Sequence, residues 1–162
     1  KGDGWAAGPG GVRMWGRYGA AGLFLLARNS SGPVVLMQHR AAWTNFGDTW
    51  GIPGGARDLH ESAEEAAVRE TVEECAIDPN HVSVVGAEVT AGPFEAVAGL
   101  PGGWTYTTVI AQTSDGNTLA TTANEESKEL RWVPVDQLEE LQLIAPFRQA
   151  LPRIRQLIEP LI

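Results

Sequence analysis

Apolar runs separated by turn-forming residues divide this chain into segments of helix and strand length. Three segments have apolar positions at helical spacing, and they cover residues 62–75, 135–141 and 146–158. Five other segments are strand-like and cover residues 20–27, 33–39, 82–90, 104–112 and 129–133. Because the strands and helices are interleaved without regular alternation, we expect an α+β fold with a mixed sheet flanked by helices.

The apolar run at residues 19–27 has the length of a signal-peptide core, but it is too short to cross a bilayer. Turn residues at 29–33 and a second apolar run at 34–37 follow it directly. This order favours a buried strand, loop and strand over a targeting signal. Residues 1–11 are rich in glycine, and we expect them to form a loose N-terminal arm.

Length and composition predict a single domain over residues 1–162, since 43% of the residues are hydrophobic. Twelve basic and twenty acidic residues give a net charge of -8, so we expect no binding to polymeric nucleic acid. A small anionic substrate would need a metal ion or a local arginine to offset this charge. Cys75 is the one cysteine and cannot form an internal disulfide, which fits a cytoplasmic protein. We expect no membrane association, and the sequence leaves a homodimer open.

The helix predicted over residues 62–75 carries clustered carboxylates. Ser62 followed by Glu65 three residues later is a capping-box pattern at its start. On a helix that advances by about 100° per residue, Glu70, Glu73 and Glu74 fall on one side. The opposite side has apolar residues that we expect to pack into the core: Val68, Val72 and Cys75.

Three adjacent carboxylates repel one another, and the helix contains no lysine to relieve the repulsion. A hard divalent cation bound by carboxylate oxygens would relieve it. The alternative is a solvated acidic face, with Arg69 paired to Glu65 or Glu73. The preceding segment, Trp-Gly-Ile-Pro-Gly-Gly at residues 50–55, favours the cation because its paired glycines let the backbone approach a ligand closely.

The spacing in this segment resembles the Nudix box, a 23-residue motif. The residues in register are Gly55, Glu61, Arg69, Glu70, Glu73, Glu74 and Ile77. At about 6% per residue type, the six fixed letters would coincide by chance in about one chain in 10⁵. Thr71 and Ala76 depart from the motif, at a packing position and at the helix end. Residues 40–55 and 126–133 are similar to MutT-like members, so the resemblance implies the Nudix fold, an α/β/α sandwich with a mixed sheet.

The resemblance also implies a chemistry, namely hydrolysis of a phosphoanhydride bond in a nucleoside diphosphate derivative with Mg²⁺ or Mn²⁺ as cofactor. Carried over from the family, Glu70 and Glu74 are metal ligands, Glu73 supports them, and the Gly54 carbonyl completes the shell.

Three further residues have roles that the resemblance implies. Arg69 would orient Glu70 through a charge-assisted hydrogen bond, and Glu61 would join this network. The general base stays open between Glu70 and Glu126. Glu126 has the alternative interpretation of an exposed loop acid.

Two residues are candidates for contacting the substrate. Arg40 resembles the MutT-like arginine that meets phosphate or base, with a surface cation as the equally favoured alternative. Trp43 is a candidate for stacking on a nucleobase, as are Trp50 and Trp104, although core packing is the favoured interpretation for each tryptophan.

For the substrate, the similarity to MutT-like proteins implies a nucleoside triphosphate or diphosphate, including oxidised guanine nucleotides. Residues 143–146 replace the asparagine with which MutT reads the oxidised base, so a preference for 8-oxoguanine is a hypothesis. An alternative is an ADP-ribose or nucleotide-sugar pyrophosphatase, because Pro93 lies sixteen residues beyond Ile77.

Two alternatives of another class are a non-catalytic nucleotide-binding regulator and an interaction domain for a basic partner. Box carboxylates are typically lost in the regulators of this fold, and none is lost here. The interaction domain predicts binding that weakens with salt and ignores Mg²⁺.

Overall fold

The fold is a mixed β-sheet between two helices, and the structure, a computed structural model, describes residues 2–162. The strands are β1 (Trp5–Ala7), β2 (Arg13–Trp15), β3 (Ala20–Asn29), β4 (Gly32–Arg40), β5 (Trp50–Gly51), β6 (Gly54–Ala56), β7 (Val82–Ala91), β8 (Tyr106–Thr113) and β9 (Ser127–Pro134). The α-helices are α1 (Ala63–Cys75) and α2 (Ala145–Ile158). Short 3₁₀ turns lie at Pro9–Gly11, Pro79–His81, Val135–Glu140 and Glu159–Leu161.

Seven strands form the main sheet, in the order β5-β4-β3-β8-β7, with β6 paired to β3 and β9 paired to β4. Strands β3 and β8 run parallel, and the other pairs are antiparallel. One face of the sheet packs on α1 and the other on α2. The predicted mixed sheet and α/β/α sandwich are therefore confirmed.

Strand β3 explains the apolar run that resembles a signal-peptide core. Leu23 and Leu25 belong to the core on the α1 side, whereas Phe24 and Leu26 belong to the core on the α2 side. A strand buried on both faces needs an uninterrupted apolar sequence. The predicted strand, loop and strand at this place are confirmed as β3 and β4.

The element boundaries agree with the predictions except in short segments. The helix predicted over 135–141 is the 3₁₀ turn Val135–Glu140, and the strand predicted from residue 104 begins at Tyr106. Strands β5 and β6 are too short to show a periodic pattern, so the sequence did not predict them.

The prediction of a loose arm over residues 1–11 is wrong for the residues that are described, and Lys1 lies outside them. Strand β1 pairs with β2 in an antiparallel hairpin. The turn of this hairpin uses Gly10 and Gly11, whose φ angles of 62° and 80° favour glycine. Met14 and Ala6 of the hairpin are buried against Trp104. Glycine therefore serves a tight turn here and does not indicate flexibility.

Within residues 2–162, no helix has the length and apolar character that a membrane crossing requires.

Candidate active site

Helix α1 presents two of the three carboxylates that converge at the site, and both ends of the helix are fixed by local interactions. The Ser62 hydroxyl accepts a hydrogen bond from the Glu65 backbone N–H at 3.0 Å, and the Glu65 carboxylate accepts one from the Ser62 N–H at 2.9 Å. The predicted capping box is thus confirmed. At the other end, Ala76 adopts the left-handed conformation, with φ 58° and ψ 42°.

The prediction that the carboxylates lie opposite the buried side of α1 is confirmed for Cys75, which is fully buried, and wrong for Glu74. Glu74 is only 4% exposed, and the helix packs on the sheet with small residues next to it. Val68 and Val72 are only partly buried. Ala66 and Ala67 allow the helix to pack closely on β3 and β6, and Glu74 is buried in the same contact, where it accepts a hydrogen bond from Gly54 of β6. The residues that are fully buried on the helix are Ala66, Ala67, Thr71, Glu74 and Cys75.

Three carboxylates converge at the centre of the site. Oxygen atoms of Glu70, Glu74 and Glu126 all lie within 4.8 Å of one another. Glu70 and Glu74 come from α1, and Glu126 precedes β9. The structure thus brings together two of the predicted metal ligands and the candidate general base.

The electrostatics of this group of three carboxylates show how strongly negative charge is crowded there. Burial, together with a hydrogen bond to Glu126, raises the pKa of Glu74 to about 10. Burial also raises the pKa of Glu70, although the neighbouring Arg69 opposes this shift. These oxygens fit a hard divalent cation. Such a cation would replace the proton in the hydrogen bond between Glu74 and Glu126 and would stabilise the ionised carboxylates.

Arg69 holds two of the carboxylates in place. Its Nε and Nη2 donate to the two oxygens of Glu61 at 2.6 and 2.9 Å, and its Nη1 donates to Glu70 at 3.0 Å. A further hydrogen bond to the Ala56 carbonyl, at 3.1 Å, ties the guanidinium to β6. The bidentate contact with Arg69 lowers the pKa of Glu61. The Arg69–Glu70 contact that the resemblance implies is therefore present.

Among the described residues, the carboxylates that converge are Glu70, Glu74 and Glu126, and Glu73 is not one of them. Its side chain is 56% exposed, and its nearest charged partner is Arg69, at 3.5 Å. Gly54 lies beside the group, where its backbone N–H donates to the Glu74 carboxylate at 3.1 Å. A Cβ atom on Gly54 would lie 2.3 Å from the Ala21 carbonyl oxygen, so only glycine allows this approach.

The group of three carboxylates opens into a cavity of about 760 Å³, within the usual size range for small-molecule sites. Arg40 lines this cavity, and its Nε donates to the Asn45 carbonyl at 2.9 Å. Trp43 also lines it and is 67% exposed, so core packing was the wrong interpretation for this residue. Trp50 and Trp104 are buried, as that interpretation predicts.

Sequence reasoning missed two polar residues that support the site. Gln38 is buried and lines the cavity, and its Nε2 donates to the Ser127 hydroxyl at 2.8 Å. Among the described residues, its Oε1 accepts no hydrogen bond. Asn124 accepts a hydrogen bond from the Glu126 N–H at 2.9 Å and donates one to the Glu73 carbonyl at 3.4 Å. Asn124 therefore joins the Glu126 loop to α1, and no motif signalled either residue.

Comparison with known proteins places this site in a family. A family model described as NUDIX domain matches residues 17–154. A Mycobacterium tuberculosis protein named "Putative 8-oxo-dGTP diphosphatase 3" is 47% identical over 156 residues, which cover 95% of this chain and 69% of that protein. A Bifidobacterium longum protein, a "Nucleoside triphosphate pyrophosphatase/Nudix hydrolase fusion protein", is 41% identical over 99% of this chain and 32% of its own length.

A crystal structure agrees with these relatives. The Nudix hydrolase RenU of M. smegmatis has a TM-score of 0.89 and 42% sequence identity, and the match covers 99% of this chain and 98% of that one. The chain therefore belongs to the NUDIX domain family. It is a Nudix hydrolase, and the predicted family, fold and class of enzyme are confirmed.

Proposed function

We propose that this Nudix hydrolase cleaves a nucleoside triphosphate to the monophosphate and pyrophosphate, with Mg²⁺ or Mn²⁺ as cofactor. Oxidised guanine nucleotides are the first candidates, since a relative at 47% identity is named for 8-oxo-dGTP. The observation that carries the proposal is the convergence of Glu70, Glu74 and Glu126 on one side of a cavity of nucleotide size. Carboxylate oxygens within this distance suit divalent ions that also contact phosphate.

The three carboxylates would hold the cation, with Glu73 supporting from the exposed side and the Gly54 carbonyl as a further ligand. Such an ion, when bound, neutralises charge on phosphoryl oxygens and lowers the pKa of an attacking water. Arg69 fixes the orientation of Glu70, since its guanidinium is itself held by Glu61.

Two residues complete the chemistry on the protein side. Glu126 or Glu70 accepts the proton of the attacking water, and both lie in the same group of carboxylates. Arg40 is the candidate for binding the terminal phosphates because it lines the cavity and has guanidinium nitrogens besides the one bound to Asn45. Trp43 is the candidate for a stacking contact from the rim of the cavity.

The alternative of an ADP-ribose pyrophosphatase has less support. It depends on Pro93, which is exposed and is not among the residues that line the cavity. A turn favours proline for its backbone geometry alone.

Turnover of a matched panel tests the proposal. The panel contains 8-oxo-dGTP, dGTP, dGDP, ADP-ribose and diadenosine tetraphosphate, each with Mg²⁺, with Mn²⁺ and with EDTA. We expect the highest kcat/KM for a triphosphate, with release of pyrophosphate and loss of activity in EDTA. A higher kcat/KM for ADP-ribose than for any triphosphate would contradict the proposal.

We further propose that the chain forms one Nudix domain in a cytoplasmic protein that acts on a small-molecule nucleotide. The single cysteine of the sequence, Cys75, is a free thiol, which fits a reducing compartment. A homodimer stays a prediction, which sedimentation analysis can test.

A further inference from the structure

The hairpin of β1 and β2 contributes to the cavity although it precedes the residues that the family model matches. Trp5, Met14 and Trp15 line the same cavity as Glu70, Glu74 and Glu126. The hairpin therefore forms one wall of the candidate active site, and this wall lies outside the residues that the family model matches.

Hydrogen bonds fix the hairpin against the body of the protein. The Trp104 indole N–H donates to the Trp15 carbonyl at 3.3 Å, and the Ala7 N–H donates to the Pro101 carbonyl at 2.9 Å. The Gly2 N–H donates to the Asp58 carboxylate at 2.7 Å.

Asp58 connects this N-terminal segment to the residues that hold the carboxylates. The Asp58 N–H donates to Glu61 at 3.1 Å, and Glu61 in turn holds Arg69. The position of the hairpin relative to the group of three carboxylates is thus determined by a chain of hydrogen bonds. A surface on the hairpin can therefore hold part of a substrate in a defined place.

Trp15 provides the free aromatic surface on this wall. Trp15 and Trp5 pack in a T-shaped arrangement, with ring centroids 5.0 Å apart and an interplanar angle of 76°, and Trp15 stays 42% exposed. The ring of Trp5 is covered by the Arg13 guanidinium, 4.3 Å from its centroid. Trp104 is buried and stacked on Phe94. Of these three tryptophans, Trp15 has the largest exposed fraction.

On the side of α2, the cavity wall is less suited to a planar aromatic group than the hairpin is. This part of the wall is formed mainly by aliphatic residues and Phe147, and the hydroxyls of Thr90 and Thr108 are bonded to each other at 2.8 Å. Trp43, the stacking candidate at the rim, is the other exposed indole of the cavity, and it lies on the side of the Glu126 loop, where its N–H donates to the Glu125 carbonyl at 3.1 Å. An exposed indole offers a flat apolar face that any nucleobase can stack on.

We propose that Trp15 stacks on the nucleobase of the substrate, so that the N-terminal hairpin forms a base-binding subsite while the carboxylates hold the phosphates. This inference rests on the proposed nucleotide hydrolysis. It places the base at the hairpin rather than against α2, and it predicts tolerance for different bases, because stacking on an indole reads no hydrogen-bonding edge.

The first test compares Trp15→Leu, Trp15→Phe and the control Val12→Ala with the unaltered protein. Val12 lies in the same hairpin, is exposed and does not line the cavity. The substrates are dGTP and methyl triphosphate, which has no base. For Trp15→Leu we expect KM for dGTP to rise about 10-fold or more, with kcat unchanged within about 2-fold. Its kcat/KM for methyl triphosphate stays unchanged, and Trp15→Phe retains most of the affinity for dGTP.

Unchanged KM for dGTP in Trp15→Leu would overturn the inference. Binding of α,β-methylene-dGTP, measured by calorimetry in the presence of Mg²⁺, separates this failure from failure of the proposed function. An unaltered protein that binds the analogue but hydrolyses no nucleotide contradicts the function, and weaker binding by Trp15→Leu then still supports the subsite. Equal binding by the two proteins overturns the subsite whatever the turnover.

A measurement on the unaltered protein avoids any effect of substitution on folding. The chain has six tryptophans, and Trp15→Phe identifies the indole N–H signal of Trp15 in a nuclear magnetic resonance spectrum. On addition of the analogue, we expect the signal of Trp15 to shift more than those of the buried Trp50 and Trp104, because the stacked base adds its ring current. A Trp15 signal that does not move would overturn the inference.

Discussion

Gly55 and Glu70 are so close that the carboxylate of Glu70 occupies the space where a side chain of residue 55 would lie. A Cβ atom on Gly55 would be 2.6 Å from Cδ of Glu70 and 2.7 Å from its Oε2. The glycine at the start of the box therefore allows β6 to pack directly on the acidic part of α1. This contact, together with Arg69, defines where the Glu70 carboxylate lies.

We predict that Gly55→Ala lowers kcat/KM by about 10- to 100-fold, because displacing a group by an ångström at a reacting centre has effects of this size. The control is Gly86→Ala, since a Cβ on Gly86 would meet nothing within 4 Å. Steady-state kinetics of both variants, with circular dichroism to confirm folding, measure the effect. Equal activity of the two variants would show that Glu70 can shift without consequence.

The second prediction concerns the different positions of two glutamates on one helix. We expect Glu70→Gln to keep the fold and to lower kcat by about 100-fold or more, because it removes a charged group from the group of three carboxylates. Glu73→Gln is the matched control on the exposed side, and we expect a smaller loss of about 10-fold or less. Single-turnover rates with Mg²⁺ distinguish the two variants. An equal loss of rate in both would show that Glu73 contributes as much to catalysis as Glu70 does.

The third prediction is a pH dependence of stability in the metal-free protein. Burial raises the pKa of Glu74 to about 10, whereas the unfolded chain titrates it near 4.5. Between these values the folded state keeps a proton that the unfolded state has released, so stability falls as pH rises, by up to about 1.4 kcal/mol per pH unit.

Thermal unfolding in EDTA from pH 6 to pH 9 measures this dependence. We expect Tm to decrease with pH for the unaltered protein and to change much less for Glu74→Gln, since an amide does not titrate in this range. Mg²⁺ should raise Tm most at high pH, where it replaces the proton. The same slope in both proteins would show that Glu74 is ionised without a metal.

The fourth prediction follows from Ala76, which stands where the Nudix box has a glycine. Ala76 adopts φ 58°, a conformation that costs a residue with a Cβ about 1–2 kcal/mol. Glycine removes this cost but gains freedom in the unfolded chain, about 0.4–1 kcal/mol. We therefore expect Ala76→Gly to raise the free energy of unfolding by about 0.5–1 kcal/mol with unchanged turnover.

Chemical denaturation measures the fourth effect, and Ala76→Asn provides a second comparison. Asparagine accepts the left-handed conformation better than alanine, so its stability should lie between the two. A destabilised Ala76→Gly variant would mean that the helix end is not strained.

The secondary structure and the family could be predicted from the sequence for clear physical reasons. Periodicity identified the strands around residues 20–40 and the helix over 62–75, because burial on a known side of an element dictates the spacing of apolar residues. The capping box was recognisable because its partners, Ser62 and Glu65, are local. The Nudix box identified the family because chemistry fixes the spacing of glutamates on a single helix.

The tertiary structure alone decided what those elements bring together. The family resemblance made Glu126 a candidate general base, but only the tertiary structure shows that its carboxylate meets Glu74, since α1 and the loop before β9 are far apart in the chain. On α1, the burial of Cys75 was predicted correctly and that of Glu74 was not, because helical spacing shows which residues share a face but not how far the sheet extends over the helix. Residues 2–11 were predicted to be loose because a glycine-rich sequence is typical of both flexible arms and tight turns. The residue that the hairpin packs on, Trp104, is also far away in the sequence. Local interactions can be predicted because they depend on residues that are neighbours in the sequence. Contacts between distant segments depend on how the whole chain packs, which only the tertiary structure shows.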